Sequence, residues 1–233
     1  MAEGAVAVGR AADPVETELK LSATSPAPLR RLTYVPTLGH TALGAPHAYL
    51  ERDRYLDTDD GRLAAAKWAC RLRSRSGRHR VSLKGPPVAR NELGGALHQR
   101  PEIEGLASER FDPSAWPPSA ARDRLLELAD GRPLREQFTL RQRRTERSVG
   151  GGQDRVGTLS LDRVVVVLED EPAGRLWCVE LELAGSANGA ADAADPKALL
   201  PGLLADLLAV GGLSIEPLTK LERALALLGR ARP

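Results

Sequence analysis

Apolar and polar positions alternate with a period of two through much of the chain, the pattern of strands with two unlike faces. In Val15-Glu16-Thr17-Glu18-Leu19-Lys20-Leu21, Glu16, Glu18 and Lys20 fall on one face, with Val15, Leu19 and Leu21 on the other. In Trp177-Cys178-Val179-Glu180-Leu181-Glu182-Leu183, Glu180 and Glu182 oppose Trp177, Val179, Leu181 and Leu183. Alternation bounded by turn residues predicts strands at about 15–21, 50–57, 68–75, 79–85, 98–104, 134–146, 155–169 and 176–184. Three-to-four spacing of apolar residues predicts helices near 26–34, 118–129, 197–210 and 219–228. Gly150-Gly151-Gly152 reads as a hairpin tip. Eight strands with few helices predict an α+β chain, predominantly antiparallel β: an eight-stranded closed barrel with helices packed on the outside. The chain of 233 residues suits one such unit, divided as a loose lead-in over 1–14 and a single domain over 15–230.

The polar faces are unusual in kind. Arg100, Glu102 and Glu104 align on one strand; Arg71, Arg73 and Arg75 align on another, opposite Leu72. Arg80, Ser82 and Lys84 oppose Val81 and Leu83, and Thr139, Arg141 and Arg143 oppose Phe138 and Leu140. Solvent-facing strands usually mix Thr, Ser, Gln and Lys, whereas here carboxylates recur as Glu-x-Glu and arginines as Arg-x-Arg. Like charges side by side repel unless an opposite charge lies between them. A divalent cation would relieve the carboxylates and a polyanion the arginines. The charged faces are therefore expected to point into the barrel, with the apolar faces covered by helices.

Composition narrows the partner. The formal net charge is only +2 and aromatics make up 3% of residues, which argues against nucleic acid, either as a coated polyanion or as stacked bases. No charged start leads into an apolar run and no stretch approaches membrane-spanning length, so a cytoplasmic protein without a membrane partner is expected. Cys70 and Cys178 make no disulfide framework, and parity puts them on opposite sides of the wall. Only five lysines occur, and Lys20, Lys84 and Lys220 fall within the motifs below. Clustered glutamates are hard ligands suited to Mg²⁺ or Mn²⁺, while converging Arg and Lys suit phosphate oxygens. A chain of phosphates bound with a metal satisfies both. No Walker-type Gly-x-x-x-x-Gly-Lys-Ser/Thr loop is present.

With Glu16-x-Glu18-x-Lys20 at its start, the chain resembles the CYTH superfamily, the triphosphate tunnel metalloenzymes. Tyr55-Leu56-Asp57-Thr58, Arg71-Leu72-Arg73, Ser82-Leu83-Lys84-Gly85-Pro86, Arg100-Pro101-Glu102-Ile103-Glu104, Asp162, Glu180-Leu181-Glu182 and Thr219-Lys220 follow in the family's order. The resemblance covers roughly residues 15–228 and implies a triphosphate tunnel with one or two divalent metals. By it, Glu16, Glu18, Glu180 and Glu182 would be metal ligands. Glu102, Glu104 and Asp162 would hold a second metal or orient the attacking water. Lys20, Arg71, Arg73, Lys84, Arg100, Arg141, Arg143 and Lys220 would grip the phosphates, Lys84 also serving the catalytic step. Arg141 and Arg143 are preferred to Arg144 because they share a face.

The resemblance implies in-line attack of water on a triphosphate. Inorganic tripolyphosphate leads because it demands nothing beyond the tunnel. A hydrolase or cyclase acting on thiamine triphosphate or ATP is the alternative, although the His-Phe pair of the cyclases is missing. A non-catalytic polyphosphate or nucleotide sensor is a further alternative. His40, His47, His79 and His98 lack ligand-like spacing and read as surface or structural residues. Segments 30–50 and 113–134 are long enough to form a substrate-selecting lid, and the helix at 219–228 should deliver Lys220 to one tunnel mouth.

Overall fold

A computed structural model describes residues 14–88, 92–151, 155–184 and 196–230; the lead-in before Pro14 and Gly152 lie outside them. Eight strands form the barrel: β1 (Val15–Ala23), β2 (His47–Thr58), β3 (Ala69–Arg75), β4 (Arg78–Lys84), β5 (Leu97–Ala107), β6 (Leu134–Val149), β7 (Gly157–Leu168) and β8 (Glu171–Leu183). Every predicted strand is present with small shifts in its ends. They pair antiparallel in the order β8-β7-β6-β2-β3-β4-β5-β1, and β1 pairs back onto β8. Closure leaves these strands no unpaired edge. A short strand, β9 (Leu213–Ile215), extends the sheet beside the end of β1. Where β7 meets β8, Gly157 is required: a Cβ there would sit 2.1 Å from the backbone oxygen of Glu182.

Five helices are described: α1 (Ala27–Tyr34), α2 (Arg62–Ala65), α3 (Ala120–Ala129), α4 (Leu200–Ala209) and α5 (Lys220–Leu227). Four match the predicted helices. The other, α2, has too few residues to show a period; the Asp57 carboxylate makes it by accepting from the backbone N–H of Thr58, Leu63 and Ala64 at 2.7, 3.0 and 3.1 Å.

Two apolar layers cover the outside of the wall. Leu19, Leu21, Leu159, Leu161, Val179 and Leu181 pack against Leu29 and Leu32 of α1 and Leu203 and Leu207 of α4. Leu72, Val81, Leu83 and Ile103 pack against Leu63, Trp116 and Leu125 from α2, the 113–116 turn and α3. Each fully buried leucine contributes about 1.5–3 kcal/mol, so these layers decide which way the strands face. Of the two segments expected as a lid, α3 and the α1 part of 30–50 are committed to the outer wall by Leu32, Ala121 and Leu125, whereas Ala45, His47 and Tyr49 line a cavity that adjoins the bore.

A third apolar cluster lies inside the barrel. Phe138, Leu140, Val164, Val166, Leu176 and Cys178 fill one end of the bore, with Tyr55 stacked on Phe138 at 4.9 Å between ring centroids. Leu221 and Leu225 of α5 and Leu228 just after it close this end, and a Thr219–Glu222 capping box starts that helix. Cys178 therefore points inward and Cys70 outward, both free, as parity predicted. The bore is a cup with an apolar floor and charged walls.

Candidate functional site

Above the floor, a cavity of about 750 Å³ is lined by Glu16, Glu18, Arg71, Arg73, Lys84, Glu102, Glu104, Arg144, Glu146, Glu180 and Glu182, among others. The inward face of every barrel strand brings a charged group to the bore; β7 lines this cavity with Ser160 and places Asp162 deeper. On the β1–β4–β5 side, Lys84 Nζ donates to both oxygens of Glu16 at 2.8 and 2.6 Å and lies 3.1 Å from Glu102. Lys20 pairs with Glu18 at 2.8 Å, and Arg100 reaches Glu18 at 3.4 Å and Glu16 at 3.6 Å. Ser82 Oγ donates to Glu102.

Across the bore, the Arg73 guanidinium forks onto Asp53 with two 2.8 Å bonds and lies 3.3 Å from Glu51. Arg71 stands between Asp53 at 3.8 Å and Glu102 at 3.6 Å. On the third side, Arg144 forks onto Asp162 at 2.8 and 2.7 Å and reaches Glu180 at 3.2 Å. Lys220, the first residue of α5, donates to Asp162 and Glu180 from below. The helix thus delivers its lysine to the closed end of the site.

Burial alone would raise Asp53, Glu102, Asp162 and Glu180, but the cations outweigh it. Arg73 and Arg71 hold Asp53 below the usual carboxylate range, Lys84 and Arg71 do so for Glu102, Arg144 and Lys220 for Asp162, and Lys220 and Arg144 for Glu180. Burial would likewise lower Lys84 and Lys220, yet Glu16 raises the first and Asp162 the second. Lys20 is the exception: burial wins over Glu18 and lowers it. Glu182 moves the other way from its fellow carboxylates, pushed up to about 7 by burial and then by Glu16 and Glu18.

Every cation of the site is held in place by a carboxylate, yet donors remain unused. The Nε groups of Arg71 and Arg100 are buried without an acceptor, and the Gln142 Oε1 is a buried acceptor without a donor. Buried donors of this kind cost about 1–3 kcal/mol each until an acceptor arrives. An anion with several oxygens supplies such acceptors.

The expected metal ligands do not converge. Glu16 and Glu18 lie on Lys84 and Lys20, Glu180 lies deeper on Lys220 and Arg144, and Glu182 stands at the exposed mouth. Among the described residues, no three acidic, histidine or cysteine side chains are drawn around one point. The donor chemistry nevertheless fits a hard divalent cation. Glu182 sits opposite Glu18 in register, two strand positions from the level of Glu16, and burial followed by the charges of Glu16 and Glu18 raises its pKa.

Glu104 is at the rim, paired with Arg80 at 3.1 Å. Asp162, expected to orient water or a second metal, is wholly buried beneath Arg144 and Lys220, where it positions those two cations. The larger departure is on β6. Arg141 and Arg143 project from the outer wall, exposed to solvent, and Arg144 takes the inward place. The expectation assumed that Phe138 and Leu140 face outward like other apolar strand residues. They face inward because this end of the bore is itself apolar, so the parity of the whole strand is reversed.

Sequence reasoning also missed Glu51, Asp53 and Gln142. Along 50–54 the outward residues Leu50, Arg52 and Arg54 alternate with inward Glu51 and Asp53, so two of the three outward positions are charged and no apolar stripe marks the inside. The available signal was a sign difference: one face basic, the other acidic and facing the arginines of β3.

A family model, the CYTH domain, matches residues 15–199. No curated protein matches the chain. Among solved structures, it resembles HpAC1 from Hippeastrum, described as a candidate adenylyl cyclase that reveals a dominant triphosphatase activity. That likeness is at 20% identity and a TM-score of 0.63, covering 94% of this chain and 98% of that one. The PH1819 protein of Pyrococcus horikoshii OT3 matches at 17% identity and a TM-score of 0.52, covering 90% and 98%. A candidate adenylate cyclase of Bacillus halodurans matches at 18% and 0.51, covering 90% and 97%. At these identities the likeness speaks for the fold.

Proposed function

Since the chain belongs to the CYTH domain family, we propose that it is a divalent-metal-dependent triphosphatase and that its substrate is inorganic tripolyphosphate. The observation that carries the reading is the convergence of Lys20, Arg71, Arg73, Lys84, Arg100, Arg144 and Lys220 on one bore, two of them with buried Nε donors lacking an acceptor. So many cations in one cavity match a compact, highly charged anion. The described triphosphatase activity of the Hippeastrum protein is consistent with this.

The choice of an inorganic substrate rests on what the cavity lacks. Among the described residues no aromatic side chain lines the upper cavity, and Tyr55 and Phe138 beneath it are stacked on each other in the apolar floor. Trp68, Trp116 and Trp177 belong to the outer apolar layers. Tyr49, in an adjoining cavity at the mouth, has its ring covered by the Arg75 guanidinium at 3.6 Å.

Glu16, Glu18 and Glu182 would hold Mg²⁺ or Mn²⁺, which supplies a Lewis acid for the phosphate oxygens and acidifies a bound water. Lys84, Arg100, Arg71 and Arg73 turn from their carboxylates to the phosphates and stabilise charge developing on the leaving group. Arg144 and Lys220 are fixed by Asp162, so they meet the anion without reorganising. The apolar floor and α5 keep bulk water from the closed end. Glu102 and Glu104, on the inward face of β5, would accept the proton of an attacking water.

One observation favours the sensor reading instead: Lys84 and Arg71 depress Glu102, which makes it a weak base. Phosphate release from tripolyphosphate, ATP and thiamine triphosphate, with Mg²⁺, Mn²⁺ or EDTA, separates the two. Metal-dependent release from tripolyphosphate that is lost in Glu18→Ala supports the proposal. Tight tripolyphosphate binding with no turnover of any substrate replaces it with a sensor.

A further inference from the structure

The outward face of β2, β6, β7 and β8 carries Arg52, Arg141, Arg143, Arg163 and Arg175, all exposed. The register sets Arg52 directly opposite Arg141, and Arg143 directly opposite Arg163. Arg175 lies one strand further, opposite Val165, which in turn faces Arg141. Neighbouring strands are about 4.8 Å apart, so the five guanidiniums form one patch. Like charges directly opposite on a sheet are destabilising. Among the described residues, the side chains of Arg52, Arg143, Arg163 and Arg175 make no hydrogen bond or ion pair, and that of Arg141 has only Asp170 at 3.5 Å, itself highly exposed. Some arginines elsewhere on the surface have acids, as Arg62 has Asp130, Arg135 has Asp59 and Arg80 has Glu104, and others exposed without one, such as Arg30 and Arg132, do not stand opposite one another in a sheet register.

We infer that this face is a docking surface for an acidic polypeptide segment of a partner protein. Guanidinium groups accept carboxylates in a two-bond fork, which a row of Asp or Glu side chains would provide. Leu50, 74% exposed opposite Arg143, and half-buried Val165 between Arg141 and Arg175 give the patch apolar contact points among its charges. Arginine mixed with apolar side chains is the composition of protein interfaces. Nucleic acid fits less well: the nearest aromatic, Trp177, is packed into the layer under the helices, and the face is the outside of a barrel with no groove. A lipid surface fits less well too, since Leu50 is the sole strongly exposed apolar residue on it.

The test uses a fluorescein-labelled poly-glutamate peptide as probe, with binding read by anisotropy in moderate salt. The double charge reversal Arg52→Glu/Arg163→Glu should weaken binding about tenfold or more, while its thermal midpoint stays that of the wild type. Lys84→Ala, inside the bore, should leave peptide affinity within about twofold. Equal affinity of the double variant and the wild type overturns the proposal, as does loss of binding in Lys84→Ala, which would place the peptide in the bore. Tighter binding of a single-stranded RNA or of phosphatidylserine vesicles with the same dependence on Arg52 and Arg163 overturns it in favour of another class of partner. A wild-type dimer in sedimentation that the double variant abolishes would show that the face meets a second copy of this chain.

Discussion

Arg143 and Arg144 are neighbours in sequence and live on opposite sides of the same wall. Arg144 is enclosed, forks onto Asp162 and touches Glu180, and these neighbours raise its pKa despite burial. Arg143 stands in solvent opposite another arginine and touches no acid among the described residues. The difference shows what each environment tolerates. Inside, water is scarce and a lone charge costs several kcal/mol, so every cation acquires a carboxylate. Outside, solvent and salt screen the repulsion, and an unpaired arginine is cheap to keep.

Truncating each arginine is the most direct way to break this comparison. Arg144→Met should cost about 3–5 kcal/mol in urea unfolding, because Asp162 stays buried with one fewer cation. Arg143→Met should change stability by less than about 0.5 kcal/mol. Similar costs for both would mean that burial does not separate the two walls. Adding Asp162→Leu to Arg144→Met should recover part of the loss, since it removes the stranded charge.

Catalysis should divide in the same way. Lys84→Ala is expected to lower kcat on tripolyphosphate by about 10²–10³, the usual effect of losing one donor to the developing charge. Arg163→Ala should leave kcat at the wild-type value. Metal binding sharpens the contrast further. A divalent ion at about 100 times its Kd should stabilise the wild type by about 2.7 kcal/mol in thermal unfolding. Glu18→Gln should lose most of that gain, whereas Arg52→Ala should keep it.

The inner carboxylates also predict an acid limb. Asp53, Glu102, Asp162 and Glu180 have folded pKa values below their unfolded ones of about 4. Their contribution is therefore complete above pH 4 and is lost as pH falls from there through the folded values. Glu182 has the opposite sign. Raised to about 7, it subtracts stability as pH climbs from the ordinary carboxyl range toward 7. Urea midpoints measured against pH should thus peak near the lower end of that range, and Glu182→Gln should flatten only the upper limb. The smallest expected effect belongs to the outer wall. Raising salt should stabilise the wild type by a few tenths of a kcal/mol, on the order of one cross-strand pair, and less so in Arg52→Thr/Arg163→Thr.

Much of this arrangement was legible in the residues. Strands β1, β3, β4, β5 and β8 each carry an apolar face and a charged face, so Glu16, Glu18, Lys20, Arg71, Arg73, Lys84, Arg100, Glu102 and Glu180 could be assigned to the bore. Strand β2 was located, but charge on both its faces left Glu51 and Asp53 unmarked. Strand β6 was located and read with its faces exchanged. Helix α2 was invisible because a side-chain cap, not periodicity, makes it.

The sequence by itself therefore determined the number of strands, their antiparallel closure into a barrel and most of the charged lining, since alternation and charge are properties of single strands. The tertiary structure alone decided which face of β6 is inside, that α5 and an apolar floor close one end, and which arginines have partners. Alternation distinguishes two faces of a strand but does not say which is interior once the interior changes from charged to apolar along its length. That depends on what other strands and helices bring to the same depth of the bore, and such contacts join residues far apart in the chain.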